Sequence, residues 1–548
     1  MEFRVPVDCS GPASPTPAGS LRAPRIPSFR VAAILLCAAI PIALAPSTSA
    51  QTAKSAQDAT GMQPLRLSTR IVLLDMSVTD KKGNPVNNLT QNDFTLYEDK
   101  VPQKIRSFEP PSAHVMPHPG EAIVHSAADL NKIGNAPVTI LVLDELNTAF
   151  ADMTYARDCV EKYLNAQPPI MTQPTTLLVV TNTKFEVIHD FTQDREALRT
   201  ALKKHFPEYP WKMMKGGAGS GGNAERMSAS LGSLYQIAKA SSGIPGRKTV
   251  IWVGLGFPNL DVLNLSAAVA DKVQGAMKRL TQTLLASHVT LFTIDPTVNT
   301  SSIVSMETPD DLINAEDNAD GQPFDDQVKF STLATGTGGT ALFSRNDIDK
   351  EVATSISQGS NYYTLSYSPT NKSDDIYKYR YIRIIPKDPN LLVVTRDGYY
   401  PPVSDTENPF ETPGQPPAEA KAQLNMDMTT AAMSTMSFSG VMVTAERADA
   451  DDFKLRIPLR NLIWNEQPNG QHQAEISVVV VAFNAKNKNL GHFGAELVAR
   501  TTGDPAANGD KLAAFAVKYA VPPNTARLRF VVRDAVSGKI GTVELTPP

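Results

Sequence analysis

Cysteine is nearly missing from this chain: three in 548 residues, at Cys9, Cys37 and Cys159. Two of them fall in the first 50 residues, which read as a leader, so Cys159 is left alone. No intrachain disulfide is then available, and packing has to supply the stability. Cys159 lies in an expected amphipathic helix and reads as a small buried hydrophobe. An excess of one charge sign is missing too. Lys and Arg total 52 against 56 Asp and Glu, a formal net charge of −4 with no basic face, which argues against a nucleic-acid partner. Catalytic signatures are also absent. The chain has no His-Glu-x-x-His and no Gly-x-Ser-x-Gly, and no Gly-Lys-Ser/Thr follows the glycine cluster at 216–222. Gly254-Leu255-Gly256 follows an expected strand, but no third glycine completes a dinucleotide loop. The histidines are scattered, and His114, His118 and His125 fall in a stretch expected to be a solvated linker.

One apolar run stands out, residues 31–45 (VAAILLCAAIPIALA), behind Arg22, Arg25 and Arg30 and ahead of the small-residue stretch 46–50. It is shorter than the roughly 20 residues of a membrane span. Its order of charge, apolar run and small residues is that of a secretory signal, which implies a periplasmic or secreted protein. Cys37 follows Leu36 rather than a small residue, so lipidation is not expected. The rest of the chain offers no further span.

The length allows about three domains. Residues 51–65 are small and polar and read as a disordered lead. Residues 66–109 hold three or four strand signals, too few to close a core alone. Residues 110–136, with several Pro and His, read as a linker. Residues 137–360 alternate strands and helices, the pattern of a doubly wound, mostly parallel α/β sheet. Within it, Val138–Asp144 is continuously apolar, as a strand covered on both faces should be. Asp194 is placed to cap a helix beginning at Arg195, and a helix is expected over 327–334. Residues 361–402 return to β. With 66–109 they are expected to form one β-sandwich into which the α/β domain is inserted. Residues 403–429 read as a Pro-rich linker, and 430–548 as a C-terminal β-sandwich.

An ordered set of short segments now carries a resemblance. It comprises Val78-Thr79-Asp80, Tyr97-Glu98-Asp99, Leu143-Asp144-Glu145-Leu146-Asn147-Thr148, Gly246-Arg247-Lys248, residues 252–258, Thr337-Gly338-Gly339, the run Tyr362-Tyr363-Thr364-Leu365-Ser366-Tyr367-Ser368-Pro369, and Gly398-Tyr399-Tyr400. Over roughly 66–402 the chain resembles the von Willebrand factor A-related proteins of the acidobacterial type. The resemblance implies a fold and no general biochemical activity.

It also implies where a metal site should be sought. Such domains hold Mg²⁺ at the carboxyl ends of the strands, with Asp-x-Ser-x-Ser on one loop, Thr on a second and Asp on a third. Here the first loop is Asp144-Glu145-Leu146-Asn147-Thr148. Asp144 matches the leading Asp, Thr148 stands in for the last Ser, and Leu146 offers no side-chain oxygen. The glycine-rich loop supplies only Ser220, and Gly254-Leu255-Gly256 stands where the Asp is expected. Mg²⁺ demands near-octahedral oxygen ligation, so Asp144, Thr148 and Ser220 make a degenerate site and no cofactor is expected. The expected function is an exported, non-catalytic protein–protein interaction module. The alternative is a structural or carrier component of an envelope or secretion assembly. A hydrolase is disfavoured, because no nucleophile, base and orienting group can be assembled.

Overall fold

The computed structural model describes residues 71–117, 123–181, 184–207, 220–297, 323–343, 347–370, 378–401 and 417–546, with the side chains of 220–223, 417–420 and 422 left aside. The leader 1–50, the lead 51–65, most of the glycine cluster, residues 298–322 and residues 403–416 of the Pro-rich linker lie outside the described residues. The fold is mixed α/β, with several sheets. No helix among the described residues is long and apolar enough to cross a membrane.

Six strands form the central sheet. Along the sheet they are Phe185–Asp194, Ile170–Val180, Val138–Asp144, Lys248–Val253, Val289–Ile294 and Ala341–Leu342. Numbered in chain order, this is 3-2-1-4-5-6. The last five pair in parallel. Phe185–Asp194 pairs antiparallel because only four residues, 181–184, separate it from its neighbour, too few for a crossover. Val138–Asp144 is buried at every position, and its side chains alternate between two cores. Ile140 and Val142 pack with residues of helices Ser220–Ser241, Ala267–Ala286 and Phe330–Gly336. Leu141 and Leu143 pack with residues of Phe150–Ala166, Arg195–Lys204 and Ile348–Ser360. The strand order reverses between Val138–Asp144 and Lys248–Val253, and open α/β sheets present their binding crevice at the carboxyl ends of such a pair.

Two four-stranded sheets are built from chain on both sides of this layer. Val72–Asp80 pairs antiparallel with Tyr362–Tyr367 and with Leu391–Thr395. Tyr362–Tyr367 also pairs with Ile105–Glu109. In the other sheet Phe94–Glu98 lies between Arg380–Pro386 and Val101–Gln103. Leu74, Met76, Leu96, Tyr363 and Leu365 share one core between them.

Beyond residue 440 the strands are antiparallel. Thr444–Arg447, Asp452–Pro458 and Leu512–Lys518 make one sheet. Asn489–Thr501, His472–Phe483, Arg527–Asp534 and Ile540–Leu545 make the other, with the short Asn465–Glu466. Leu455, Phe515, Val480 and Phe530 belong to a common core.

Both expected linkers are corrected in part. Residues 417–433 form a helix, Pro417–Met433. The prolines stop at its first position, where the missing N–H costs nothing, and an alanine-rich stretch follows. Met428, Ala431 and Ala432 join the core that contains Leu234 and Ile237. Asp427, buried, lies 3.2 Å from Lys239 Nζ. In 110–136, Val124, Leu130 and Ile133 are buried in that same core. His114 is buried rather than solvated and stacks on Tyr362 with ring centroids 4.4 Å apart. The helix expected over 327–334 starts later, at Phe330, because Gln327–Val328 pairs with Leu260–Asp261.

Candidate functional site

Asp144 ends the first strand of the central sheet, at the point where strand order reverses. Its side chain is fully buried, and both carboxylate oxygens are occupied by N–H donors. The backbone N–H of Asn147 donates to Oδ1 at 3.0 Å. Asn147 Nδ2 reaches both oxygens at 3.1 Å. Trp252 Nε1 donates to Oδ2 at 3.0 Å, and the backbone N–H of Gly256 at 2.8 Å. Burial pushes the Asp144 carboxyl up to about 6, against the pull of the hydrogen bonds from Trp252, Asn147 and Gly256.

The donors come from three elements. Trp252 sits on the wholly buried strand Lys248–Val253, and its ring packs edge-on against Phe330 at 5.2 Å. A buried indole N–H needs an acceptor, and Asp144 is the one it finds. Ser230, on helix Ser220–Ser241, accepts from Asn147 Nδ2 at 3.0 Å and donates to the Gly256 carbonyl at 2.9 Å. Thr148, also buried, accepts from the Leu255 N–H at 3.2 Å.

The glycine at 254 has a steric cause. Its φ is +141°, and a Cβ there would lie 2.5 Å from both Asp144 Cβ and Thr148 Oγ1. A side chain of any kind, carboxylate included, does not fit between them without rearrangement. Leu146, which replaces a hydroxyl residue in the resemblance, is buried in the core.

Of the three residues expected to ligate metal, Asp144 and Thr148 come together around Gly254. Ser220 opens helix Ser220–Ser241, and its side chain lies outside the described residues. The donor set does not suit Mg²⁺. A cation ligand needs free lone pairs facing an open position, and the Asp144 oxygens already accept four N–H groups, counting the shared Asn147 amide once. Among the described residues no three His, Cys, Asp or Glu side chains are grouped as a metal site. Sequence reasoning missed Trp252 and the Gly256 N–H as partners of Asp144, and Ser230, which braces Asn147 and Gly256 beside it.

Glu145, next in the loop, turns the other way. It is buried, and His205 Nε2 donates to its Oε1 at 2.7 Å. Arg157 Nη2 ties down the same corner through the Leu202 and His205 carbonyls at 2.6 and 2.7 Å. Outside this closed polar centre the loops carry apolar side chains in solvent. Phe150 opens the helix after the first strand and is 40% exposed. Leu255 and Leu263 follow the fourth strand at 40% and 74%.

No protein-family model matches the chain, and no curated protein does either. Among solved structures it has a weak, partial likeness to the VWA domain of SpRpn10, with 15% identity over 29% of this chain and 74% of that one, and a TM-score of 0.19. A hypothetical protein from Pyrococcus horikoshii OT3 is similar over 20% of this chain and 87% of its own, with 15% identity and a TM-score of 0.12. The superoxide reductase of Archaeoglobus fulgidus gives 16% identity, 20% and 89% coverage, and a TM-score of 0.13. None of these likenesses carries an argument about activity.

Proposed function

We propose that this chain is an exported, non-catalytic protein-binding module, which grips its partner with the loops at the carboxyl ends of the central sheet and without a metal ion. The observation that carries the reading is the contrast at that rim. Asp144 is sealed by Asn147, Trp252 and Gly256, while Phe150, Leu255 and Leu263 stand in solvent on the segments that follow the first and fourth strands. Exposed apolar side chains near a topological switch point suit a protein surface better than a small polar substrate. Export rests on the leader-like order of residues 22–50.

The layered domain is read as von Willebrand factor A-like, of the acidobacterial type. The 3-2-1-4-5-6 strand order with one antiparallel edge supports the von Willebrand factor A-like part of that reading, and the acidobacterial type rests on the sequence resemblance alone. Residues 66–109 and 361–402 are read as one split β-sandwich around it. The pairing of Val72–Asp80 with Tyr362–Tyr367 supports this. Residues 430–548 are read as a C-terminal β-sandwich, supported by the core its two sheets share.

The test is capture from envelope extracts with wild type, Leu255→Asp and Leu263→Asp, each with and without chelator. The reading expects a partner retained by wild type in chelator and lost from both variants. Capture that chelator abolishes, or that both variants keep, contradicts it. Chelator-resistant capture that survives in both variants favours the alternative of a structural component held through another surface.

A further inference from the structure

The sheet formed by Asn489–Thr501, His472–Phe483, Arg527–Asp534 and Ile540–Leu545 has two unlike edges. Ile540–Leu545 is covered by the chain itself: the Thr542 N–H donates to the Phe438 carbonyl at 3.0 Å, and the Val441 N–H to the Ile540 carbonyl at 3.2 Å. Asn489–Thr501 is a 13-residue strand that pairs with His472–Phe483 along one side. Among the described residues no strand pairs with its other side.

A long open edge offers unpaired N–H and C=O groups to any extended chain, and proteins usually blunt it with lysine, proline or a bulge. This strand contains no lysine and no proline. Its one register irregularity lies at the far end, opposite Ala482 and Phe483. The half from Ala495 to Thr501 is therefore regular and open.

The side chains on that half are self-complementary. Glu496, Val498 and Arg500 are exposed on one face, while Leu497 and Ala499 are half-buried on the other. Glu496 forms no ion pair among the described residues, and Arg500 Nε donates to the neutral Gln473 amide at 3.2 Å. We infer that this edge joins two copies of the chain, paired antiparallel about a twofold axis through Val498. In that register Val498 meets Val498, and Glu496 of each copy faces Arg500 of the other. Isologous contacts of this kind close on themselves and stop at a dimer, and opposite charges directly across a strand pair stabilise it. Moving the axis to Glu496 sets two carboxylates face to face, and a one-residue slip turns the exposed face over. Charge thus selects the register through Val498. The surface is distinct from the carboxyl-end rim of the central sheet and stands independently of it.

Sedimentation velocity on the full chain from low to high micromolar concentration tests the proposal, with unfolding curves to establish that each variant is folded. Wild type should move from monomer to dimer mass as concentration rises. Glu496→Arg should remain monomeric through the same range, as should Val498→Pro, which removes an edge N–H. Combining Glu496→Arg with Arg500→Glu restores opposite charges across the axis and should recover the dimer to within about tenfold of wild type. The rescue keeps the test sound if Val498→Pro fails to fold. Wild type at monomer mass throughout, or dimerisation of Glu496→Arg at wild-type strength, would overturn the proposal.

Discussion

Trp252 donates its indole N–H to Asp144 Oδ2 at 3.0 Å, across the two neighbouring strands where the order of the central sheet reverses. The bond joins the most buried aromatic of one strand to the terminal carboxylate of the other. It occupies an oxygen whose lone pairs a metal ion would need. Trp252→Phe should keep the ring contact with Phe330 while removing the donor. A stability loss of about 1–3 kcal/mol is expected, measured by urea unfolding.

Asp144 also sets a pH dependence with a definite sign. Its folded value, about 6, lies above the ordinary 3.8. Its contribution to stability is therefore fully present below about pH 3.8 and is lost as pH rises through 6. A shift of about two pKa units corresponds to about 3 kcal/mol. Wild-type stability relative to Asp144→Asn should fall by that order between pH 4 and pH 7. A flat difference across that window would show that the carboxyl is not raised.

Lys248 begins the neighbouring strand with no exposed surface, and its Nζ donates to the Ile244 carbonyl at 2.6 Å. Desolvation lowers it to about 7, with the Asp75 charge opposing the shift. Because the folded value lies below the ordinary 10.5, its contribution is present at high pH and lost as pH falls through 7. Lys248→Met should raise stability at pH 7 by about 1–4 kcal/mol. The gain should be larger at pH 6 than at pH 10, as thermal unfolding across pH can show.

The helix Pro417–Met433 is held by buried charge. Asp427 accepts from Lys239 Nζ at 3.2 Å and from Gln423 Nε2 at 2.8 Å. Asp427→Ala removes the carboxylate facing the buried Lys239 ammonium and should cost about 3–5 kcal/mol. Pairing Asp427→Leu with Lys239→Met should recover most of that loss in the same unfolding measurement.

Much of the layered core can be read from periodicity. The strands around Ile140, Leu178, Val250 and Leu291 are largely apolar, β-branched runs, and Asp194 caps its helix through the N–H groups of Glu196 and Ala197. What escaped was tertiary. Proline density made 403–429 look like linker, yet the prolines end where the Pro417–Met433 helix begins, and its buried face is set by contact with Leu234 and Ile237. His114 looked solvated because nothing in the local sequence shows Tyr362 stacking on it from about 250 residues away. At the candidate site the missing oxygens of Leu146 and Gly254 could be read directly. The replacement donors could not, because Trp252 and the Gly256 N–H reach Asp144 from about 110 residues away, and Ser230 braces Asn147 and Gly256 from a third segment. A tryptophan inside a buried strand was the one available signal, since its N–H had to find an acceptor.

Closure of Asp144 to metal is open to a direct test. Titration calorimetry of Mg²⁺ into the folded protein at neutral pH should give no saturable heat into the millimolar range, and the unfolding midpoint should be the same in Mg²⁺ and in chelator. One-to-one binding of Mg²⁺ that Asp144→Asn abolishes would contradict it.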